Sequence, residues 1–247
     1  MGKLIIRKNA VLILLFLFGC THLLGANTDK SEGWKAGLAK MIITPEEPLW
    51  LAGYASRKKP SEGKFDDLWA KVLVFEDREG NRALLLTSDL IGFPAKMSEN
   101  IRNGLFKKYG FSKANIILNS SHTHSGPVLS GSLVDIYPVG MDEWGKIDRY
   151  SSKLEGKIIE LAGKALDSMV PVKISSGTGV TRFQVNRRNN VEKLLPELTE
   201  LKGPNDFAVP VLRVTDQRGD LLAIVFGYAC GMLLPMVFIA TSLGVLP

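Results

Sequence analysis

The feature that most constrains the fold is a strand–helix–strand succession in the first half of the chain. The apolar runs of residues 82–88 and 115–119 predict two strands. Residues 94–109 between them predict an amphipathic helix, because apolar side chains recur every four positions and Gly110 follows. These apolar residues are Met97, Ile101 and Leu105. Two strands joined by a helix lie parallel with a right-handed crossover, so the sequence predicts a βαβ unit.

Further predicted elements extend this unit into a mixed α/β sheet flanked by helices. They are a strand at 37–44, a hairpin of strands 70–76 and 82–88, a helix at 148–169, a strand at 172–180, and a hairpin of strands 209–215 and 221–228. The two hairpins align, with Asp216 matching Asp77 in the turn. Residues 228–230 therefore take the place that Asp89 has after the first hairpin, and we expect further site residues there.

Two of the three histidines, His122 and His124, directly follow the second strand of the βαβ unit. Ligands of α/β sheets gather at the carboxyl ends of strands, where Asp89 also lies. Two imidazoles at i and i+2 can converge on one point if the chain stays extended, which suits a metal ion or a proton relay. Two alternatives remain open: the histidines form a solvated turn, and Asp89 caps a helix or turn.

The N-terminus has the pattern of an export signal. Lys3, Arg7 and Lys8 precede a short apolar run at 10–18, which predicts a leader over 1–26 and a mature domain over 27–247. The leader is removed either by cleavage after Ala26 or at a lipoprotein box that ends at Cys20. Either route predicts a secreted, periplasmic or cell-envelope protein. Cys230 then has no partner, so no disulfide is predicted.

The composition argues against nucleic-acid binding. The formal net charge is +6, but three of the positive charges lie in the leader. No basic stripe with interleaved aromatic residues is present. The adjacent arginines 187 and 188 lie in a polar loop, and they either face solvent or grip an anionic substrate group.

Several segments, in this order, resemble the N-terminal domain of the neutral (non-lysosomal) ceramidases, a family of zinc amidases. The segments are Gly37–Pro45, Gly53-Tyr54, Thr87-Ser88-Asp89, Ser121–Pro127, Asn186-Arg187 and Phe226–Cys230. The resemblance implies that His122 is a zinc ligand, that His124 lies beside it on the substrate side, and that Arg187 holds the reacting centre. The implied reaction is hydrolysis of a ceramide-like N-acyl lipid to a fatty acid and a sphingoid base, with peripheral membrane association.

The resemblance stops at Cys230. Relatives have a second zinc-binding histidine at the next position, and this chain has Gly231. Further ligands of the family come from later in a longer chain, so we expect a domain incomplete at its C-terminus and impaired in hydrolysis. Hydrolysis would be retained if Cys230, Tyr228 or Asp89 took the place of the missing zinc ligand.

The aberrant apolar tail at 231–247 has two interpretations. With residues 221–230 it forms an uncharged run long enough for a transmembrane helix, although Pro235 interrupts it. Alternatively, a frameshift directly after Cys230 has replaced the family's continuation.

Three other functions are compatible with the sequence. One is a different metal hydrolase, although those with this histidine pattern need later histidines. Another is a non-catalytic cell-envelope module that binds a lipid or sugar. A serine hydrolase using Ser121 or Ser125 is a third, but the Gly-X-Ser-X-Gly motif is missing.

Overall fold

A computed structural model of the protein describes residues 33–186, 188–229 and 236–241. Within these ranges the chain forms an eight-stranded sheet and two α-helices. The strands are β1 (Trp34–Ile42), β2 (Trp69–Glu76), β3 (Arg82–Ser88), β4 (Ile116–Ser120), β5 (Val170–Val180), β6 (Ala208–Asp216), β7 (Leu221–Tyr228) and β8 (Met236–Thr241). The helices are α1 (Ala95–Tyr109) and α2 (Met141–Asp167), with short 3-10 turns at Lys113–Asn115 and Glu192–Glu197. The predicted leader, Arg187 and Cys230 lie outside the described residues.

The sheet is mixed, as the sequence predicts. Its strand order is β4-β3-β2-β1-β5-β6-β7-β8. β3 and β4 are parallel and in register from Leu84 opposite Ile116 to Ser88 opposite Ser120, and each other neighbouring pair is antiparallel. The β3-α1-β4 segment is therefore the predicted βαβ unit, and the mixed α/β class is confirmed.

The two hairpins occupy matching places on either side of a central seam between β1 and β5. In the first turn the Asp77 Oδ1 accepts hydrogen bonds from the amides of Glu79 and Asn81, at 2.9 Å each. In the second turn the Asp216 Oδ1 accepts from the amides of Arg218 and Asp220. The sequence alignment of the two hairpins thus reflects a shared turn geometry. The seam itself pairs three positions, from Trp34 opposite Val172 to Ala36 opposite Val170.

The main core lies between the sheet and the two helices. α1 contributes the three predicted side chains Met97, Ile101 and Leu105, all buried. Gly110 ends the helix with φ of 76°, the left-handed conformation that a glycine stop provides. α2 begins at residue 141, earlier than predicted, because Ile147 is fully buried and Asp142 and Glu143 place negative charge in the first turn.

A second apolar cluster covers the opposite face of the sheet. It consists of Ala36, Leu73, Val172, Val214, Ala223 and Val225. The sheet curls on this side, since Cα atoms of the edge strand β8 lie within 8 Å of those of β4 and β3. The run that could form a transmembrane helix instead contains β7 and β8. No helix in the described part of the chain is long and apolar enough to cross a membrane.

Close packing of α2 on β1 depends on Gly37. An added Cβ at this position would lie 1.9 Å from the carbonyl oxygen of Ala165 in α2. The helix backbone cannot move locally to make room, because the Ala165 carbonyl accepts hydrogen bonds from the amide and the hydroxyl of Ser168, which ends the helix. The sequence at this position therefore sets the distance between helix and sheet.

We expect Gly37→Ala to lower the free energy of unfolding by about 1 to 3 kcal/mol, the usual range for overpacking a core. Gly177→Ala in β5 is the matched control, since an added Cβ there meets nothing within 4 Å. Urea unfolding followed by circular dichroism measures both. A destabilisation of equal size in the two variants would contradict the packing argument.

A charge cluster at the end of the first hairpin predicts a pH dependence. The buried Glu76 accepts hydrogen bonds from Arg82 Nε at 2.7 Å and Lys35 Nζ at 3.0 Å. These bonds, that of Arg82 first, hold the pKa of Glu76 below its ordinary value. The folded state therefore gains stability from the carboxylate at neutral pH, and loses it as the pH falls through the lowered pKa.

Glu76→Gln should accordingly destabilise the protein at pH 7, and the difference from wild type should shrink as the pH is lowered below 4. Chemical denaturation at a series of pH values tests this. Glu99→Gln, which removes a surface pair with Lys96, should change stability little throughout. A Glu76→Gln effect that stays constant with pH would refute the role of ionisation.

Candidate functional site

The histidine segment leaves the sheet directly after the parallel strand pair. Ser88 Oγ lies 3.2 Å from the carbonyl oxygen of Asn119 and from Ser120 Oγ. The amide of Ser121 donates to the Ser88 carbonyl at 2.9 Å, so the pairing of the two strands extends one residue past β4. The next residue, His122, starts the loop from a fixed position.

The sequence predicts that the two histidine side chains converge if the chain stays extended. In the structure the chain does not stay extended through this segment. His122 has φ of 55°, in the left-handed region that side chains other than glycine seldom adopt. This turn changes the direction of the chain and brings the two rings together, with centroids 5.4 Å apart and planes at 66°. The predicted proximity is present, but a turn produces it.

The His122 ring is oriented by a backbone carbonyl. Its Nδ1 lies 2.7 Å from the carbonyl oxygen of Ile91. Since a carbonyl only accepts hydrogen bonds, Nδ1 must donate, and the neutral ring then has its lone pair on Nε2. The residue is exposed. This is the arrangement in which metal-binding histidines are usually held.

His124 is half-buried and packs against the segment Gly53-Tyr54. The Tyr54 ring meets the imidazole edge-on, with centroids 4.8 Å apart. Gly53 has φ of 85°, and an added Cβ there would lie 2.4 Å from Cγ of His124. Arg57 Nη2 donates to the His124 carbonyl at 2.7 Å. Both the ring and the backbone of His124 are therefore fixed by residues 53–57.

Backbone hydrogen bonds join this segment to the histidine loop. The amide of Ala52 donates to the Gly126 carbonyl, and the amide of Val128 donates to the Trp50 carbonyl, at 2.8 Å each. A third loop reaches the same place, because the Tyr137 hydroxyl donates to the Gly53 carbonyl at 2.5 Å. Burial raises the pKa of the Tyr137 phenol above its ordinary value.

Asp89 lies beside the histidine loop but has other partners. Its Oδ2 accepts from the Trp69 amide at 2.8 Å, and its Oδ1 accepts from Ser121 Oγ at 3.3 Å. It does not cap α1, whose N-cap residue is Pro94. The carboxylate thus ties the end of β3 to β2 and to the loop. Within the described ranges, no three His, Cys, Asp or Glu side chains are placed to hold a metal ion.

The end of β7 joins the polar loop that contains the two arginines. The Tyr228 hydroxyl accepts from the Gln184 amide at 3.2 Å, and its ring packs on Phe183 at 4.5 Å between centroids. Asn186 braces the loop, with its Oδ1 accepting from the amide of Arg188 at 3.0 Å.

Three groups that position the histidines are not predicted from the sequence. They are the carbonyl of Ile91, the guanidinium of Arg57 and the hydroxyl of Tyr137. A carbonyl has no side-chain signature, so the sequence offers no signal for the first. Arg57 and Tyr137 lie between the predicted strands and helices, where the sequence predicts no regular element.

Known proteins share the sequence pattern and the fold of this chain. The family model described as "Neutral/alkaline non-lysosomal ceramidase, N-terminal" matches residues 34–225. The chain belongs to the neutral/alkaline non-lysosomal ceramidase family. It is 26% identical over 234 residues to a neutral ceramidase of Drosophila pseudoobscura pseudoobscura, covering 91% of this chain and 31% of that protein. Neutral ceramidase B of Dictyostelium discoideum is 27% identical, with 92% of this chain and 33% of that protein covered.

The fold is shared with a solved ceramidase. The crystal structure of the neutral ceramidase from Pseudomonas aeruginosa superposes with a TM-score of 0.62 at 23% identity, covering 79% of this chain and 31% of that chain. The predicted likeness to a ceramidase N-terminal domain is therefore confirmed. The chain spans about a third of the length of the curated relatives that it matches.

We expect Gly53→Ala to displace the His124 ring. Gly80→Ala is the matched control, because Gly80 has a similar φ of 82° but an added Cβ there meets nothing within 4 Å. Backbone strain alone should cost about 1 kcal/mol in both variants, and the clash should add at least about 1 kcal/mol more at Gly53. Urea unfolding and the ring resonances of His124 in carbon–proton NMR spectra measure the two effects. Unchanged His124 resonances in Gly53→Ala would contradict this packing.

Proposed function

We propose that the chain contributes the histidine half of a zinc-dependent amidohydrolase site of the neutral ceramidase type. The observation that carries the proposal is the His122 ring, whose Nδ1 is held by the Ile91 carbonyl and whose Nε2 is left for a ligand. Membership of the ceramidase family supports the same function. The substrate is a ceramide-like lipid, whose N-acyl bond is cleaved to a fatty acid and a sphingoid base.

His122 is the proposed metal ligand of the described residues. Its donor atom fits zinc, which takes imidazole nitrogen readily, and its exposure leaves room for other ligands. These would come from outside the described residues, which hold no group of three suitable side chains. A zinc ion bound there would act as a Lewis acid toward the amide carbonyl and make a water molecule more acidic.

His124 is the proposed catalytic group on the substrate side. Its position beside His122 is set by Tyr54 and Arg57, so its ring can meet a substrate oxygen or nitrogen without first changing rotamer. Arg187 is the second proposed catalytic group. A guanidinium is suited to holding the negative charge that develops on a carbonyl oxygen during amide hydrolysis.

Exposed apolar side chains around the histidines support a lipid substrate. Tyr54 is 63% exposed, although its ring lies against His124. Val134 and Ile136, 49% and 44% exposed, lie in the loop that Tyr137 anchors to Gly53. Apolar groups left in contact with water beside a polar site suit an alkyl chain or a membrane surface. A solved ceramidase that shares the fold, with a TM-score of 0.61, is complexed with C2.

Export to the cell envelope follows as part of the proposal. The leader pattern at 1–26 and the lipid substrate both favour a protein that meets membranes from outside the cytoplasm. A non-catalytic lipid-binding module is the second candidate. It is favoured by Asp89, whose two carboxylate oxygens accept hydrogen bonds from the Trp69 amide and the Ser121 hydroxyl and so serve to hold the loop in place.

We expect His122→Ala to lower zinc affinity at least tenfold, because it removes the oriented imidazole. His124→Ala should keep the zinc affinity within about twofold but abolish hydrolysis of a fluorogenic N-acyl amide. Isothermal titration with zinc and the amide assay measure the two properties on the same preparations. Ser125→Ala, which alters a neighbouring exposed residue, is the control and should change neither.

The outcomes separate the candidates. Zinc binding that survives His122→Ala would refute the assigned ligand. Zinc binding without amide turnover in wild type would favour the binding module. Loss of turnover in Ser125→Ala would instead indicate a serine hydrolase.

A further inference from the structure

Left-handed backbone conformations are concentrated around the histidines. Among the described residues, three other than glycine have a positive φ: Tyr54 at 48°, His122 at 55° and Leu133 at 55°. Residues with a side chain seldom adopt this conformation, because Cβ crowds the following carbonyl oxygen. All three lie in segments that meet at the site, since Tyr137 joins the loop of Leu133 to Gly53. Strained backbone gathered at one place points to a function there.

Packing accounts for two of these conformations but not for the third. The turn at His122 brings the two imidazoles together. Leu133 packs against a buried cluster that includes Trp50 and Tyr137. Tyr54 gains no comparable burial, because the residue is 63% exposed. What the left-handed backbone of Tyr54 determines is therefore the position of an exposed aromatic ring.

The Tyr54 ring contacts both the imidazole of His124 and a guanidinium. Its centroid lies 4.8 Å from that of His124, with the two planes at 75°. Cζ of Arg57 lies over the ring, 5.5 Å from the centroid. The amide of Arg57 donates to the Tyr54 carbonyl at 3.1 Å, which closes the turn 54–57. These contacts hold the ring in place, and more than half of the residue still faces solvent. A ligand at His124 therefore has an accessible aromatic ring beside it.

We propose that Tyr54 contacts the substrate and holds the first carbons of its alkyl chain, next to the amide that is hydrolysed. The proposal rests on the function proposed above, in which His124 meets an oxygen or nitrogen of that amide. An aromatic ring presents apolar surface on which methylene groups pack, and each methylene that leaves water stabilises the complex. Because the ring centroids of Tyr54 and His124 are only 4.8 Å apart, Tyr54 reaches carbons close to the amide and not the far end of a long chain.

The position of the ring defines the selectivity of this contact. An amide with a linear aliphatic chain covers the ring, whereas an acetyl group is too short to do so. Carbons that extend beyond the ring add nothing to the contribution of Tyr54. The residue therefore selects linear aliphatic amides by the part of the chain nearest the amide.

Three uncharged amides test the proposal on the metal-free protein: N-methylacetamide, N-methylhexanamide and N-methyloctanamide. Titrations followed by NMR of the aromatic side chains monitor the rings of Tyr54 and His124. We expect N-methylhexanamide to bind about tenfold more tightly than N-methylacetamide, because its additional methylene groups are partly buried on the ring. Nuclear Overhauser effects should link the Tyr54 ring protons to the methylene protons nearest the amide carbonyl.

Tyr54→Asn removes the ring and retains the turn, because Asn adopts the left-handed conformation more readily than most residues. It should weaken the binding of N-methylhexanamide and N-methyloctanamide by the same factor, roughly fivefold, and leave that of N-methylacetamide unchanged. Tyr54→Phe keeps the ring and should bind all three amides like wild type. Phe106→Gln is the matched control, because it removes a ring on α1 that is 58% exposed, and it should change no affinity.

Several results would overturn the proposal. Weaker binding in Tyr54→Phe would assign the contact to the hydroxyl group. A larger effect of Tyr54→Asn on N-methyloctanamide than on N-methylhexanamide would place the ring at the far end of the chain. Absence of Overhauser effects to Tyr54 would show that it acts only through His124. A Tyr54→Asn variant that binds the amides normally but no longer associates with phosphatidylcholine vesicles would make the ring a membrane contact instead.

The measurement separates this proposal from the function on which it rests. No metal is added, so amide binding does not require the zinc site. If the amides bind as expected and the chain takes up no zinc, the alkyl contact of Tyr54 stands and the hydrolytic function is refuted. If zinc binds and Tyr54→Asn changes no amide affinity, the contact is refuted and the zinc site stands.

Discussion

The parallel pairing of β3 with β4 is the constraint on which the candidate site depends. Its register ends with Ser88 opposite Ser120, and the crossover helix α1 buries its apolar face to hold both strands in place. Asp89 and Ser121 then leave the sheet at the same edge and bond to each other. The Ile91 carbonyl reaches His122 because the segments that follow β3 and β4 leave the sheet at the same edge.

Three segments surround the histidines: residues 50–57, the loop that contains Tyr137 and the segment that contains Ile91. Most of the hydrogen bonds between these segments and the histidine loop involve backbone atoms. These hydrogen bonds fix the rings before any ligand binds. Binding then does not have to order the site, which would cost conformational entropy. These hydrogen bonds also explain what the sequence could not predict about the site. The motif identified His122 and His124, but the left-handed turn at His122 and the carbonyl partner of its ring depend on chain segments that meet only after folding.

The fold was more predictable than the site wherever one face of an element is buried. Helix α1 and both hairpins follow from the spacing of apolar residues and from turn residues such as Gly110. β8 was missed because the apolar segment 231–247, which contains glycines and Pro235, has no alternating pattern of apolar and polar residues. The strand conformation of β8 comes from its pairing with β7. The early start of α2 was missed because Gly145, a poor helix former, lies within its first two turns.

The narrow seam between β1 and β5 has a consequence for how the molecule folds. Strands β1 to β4 are near neighbours in sequence, and so are β5 to β8, whereas the seam joins Trp34 to Val172 through three paired positions. Closing so large a loop for so few hydrogen bonds is entropically unfavourable until other contacts offset it. We therefore expect the two halves to form first, each from short-range pairings, and the docking of α2 on β1 to join them into one sheet.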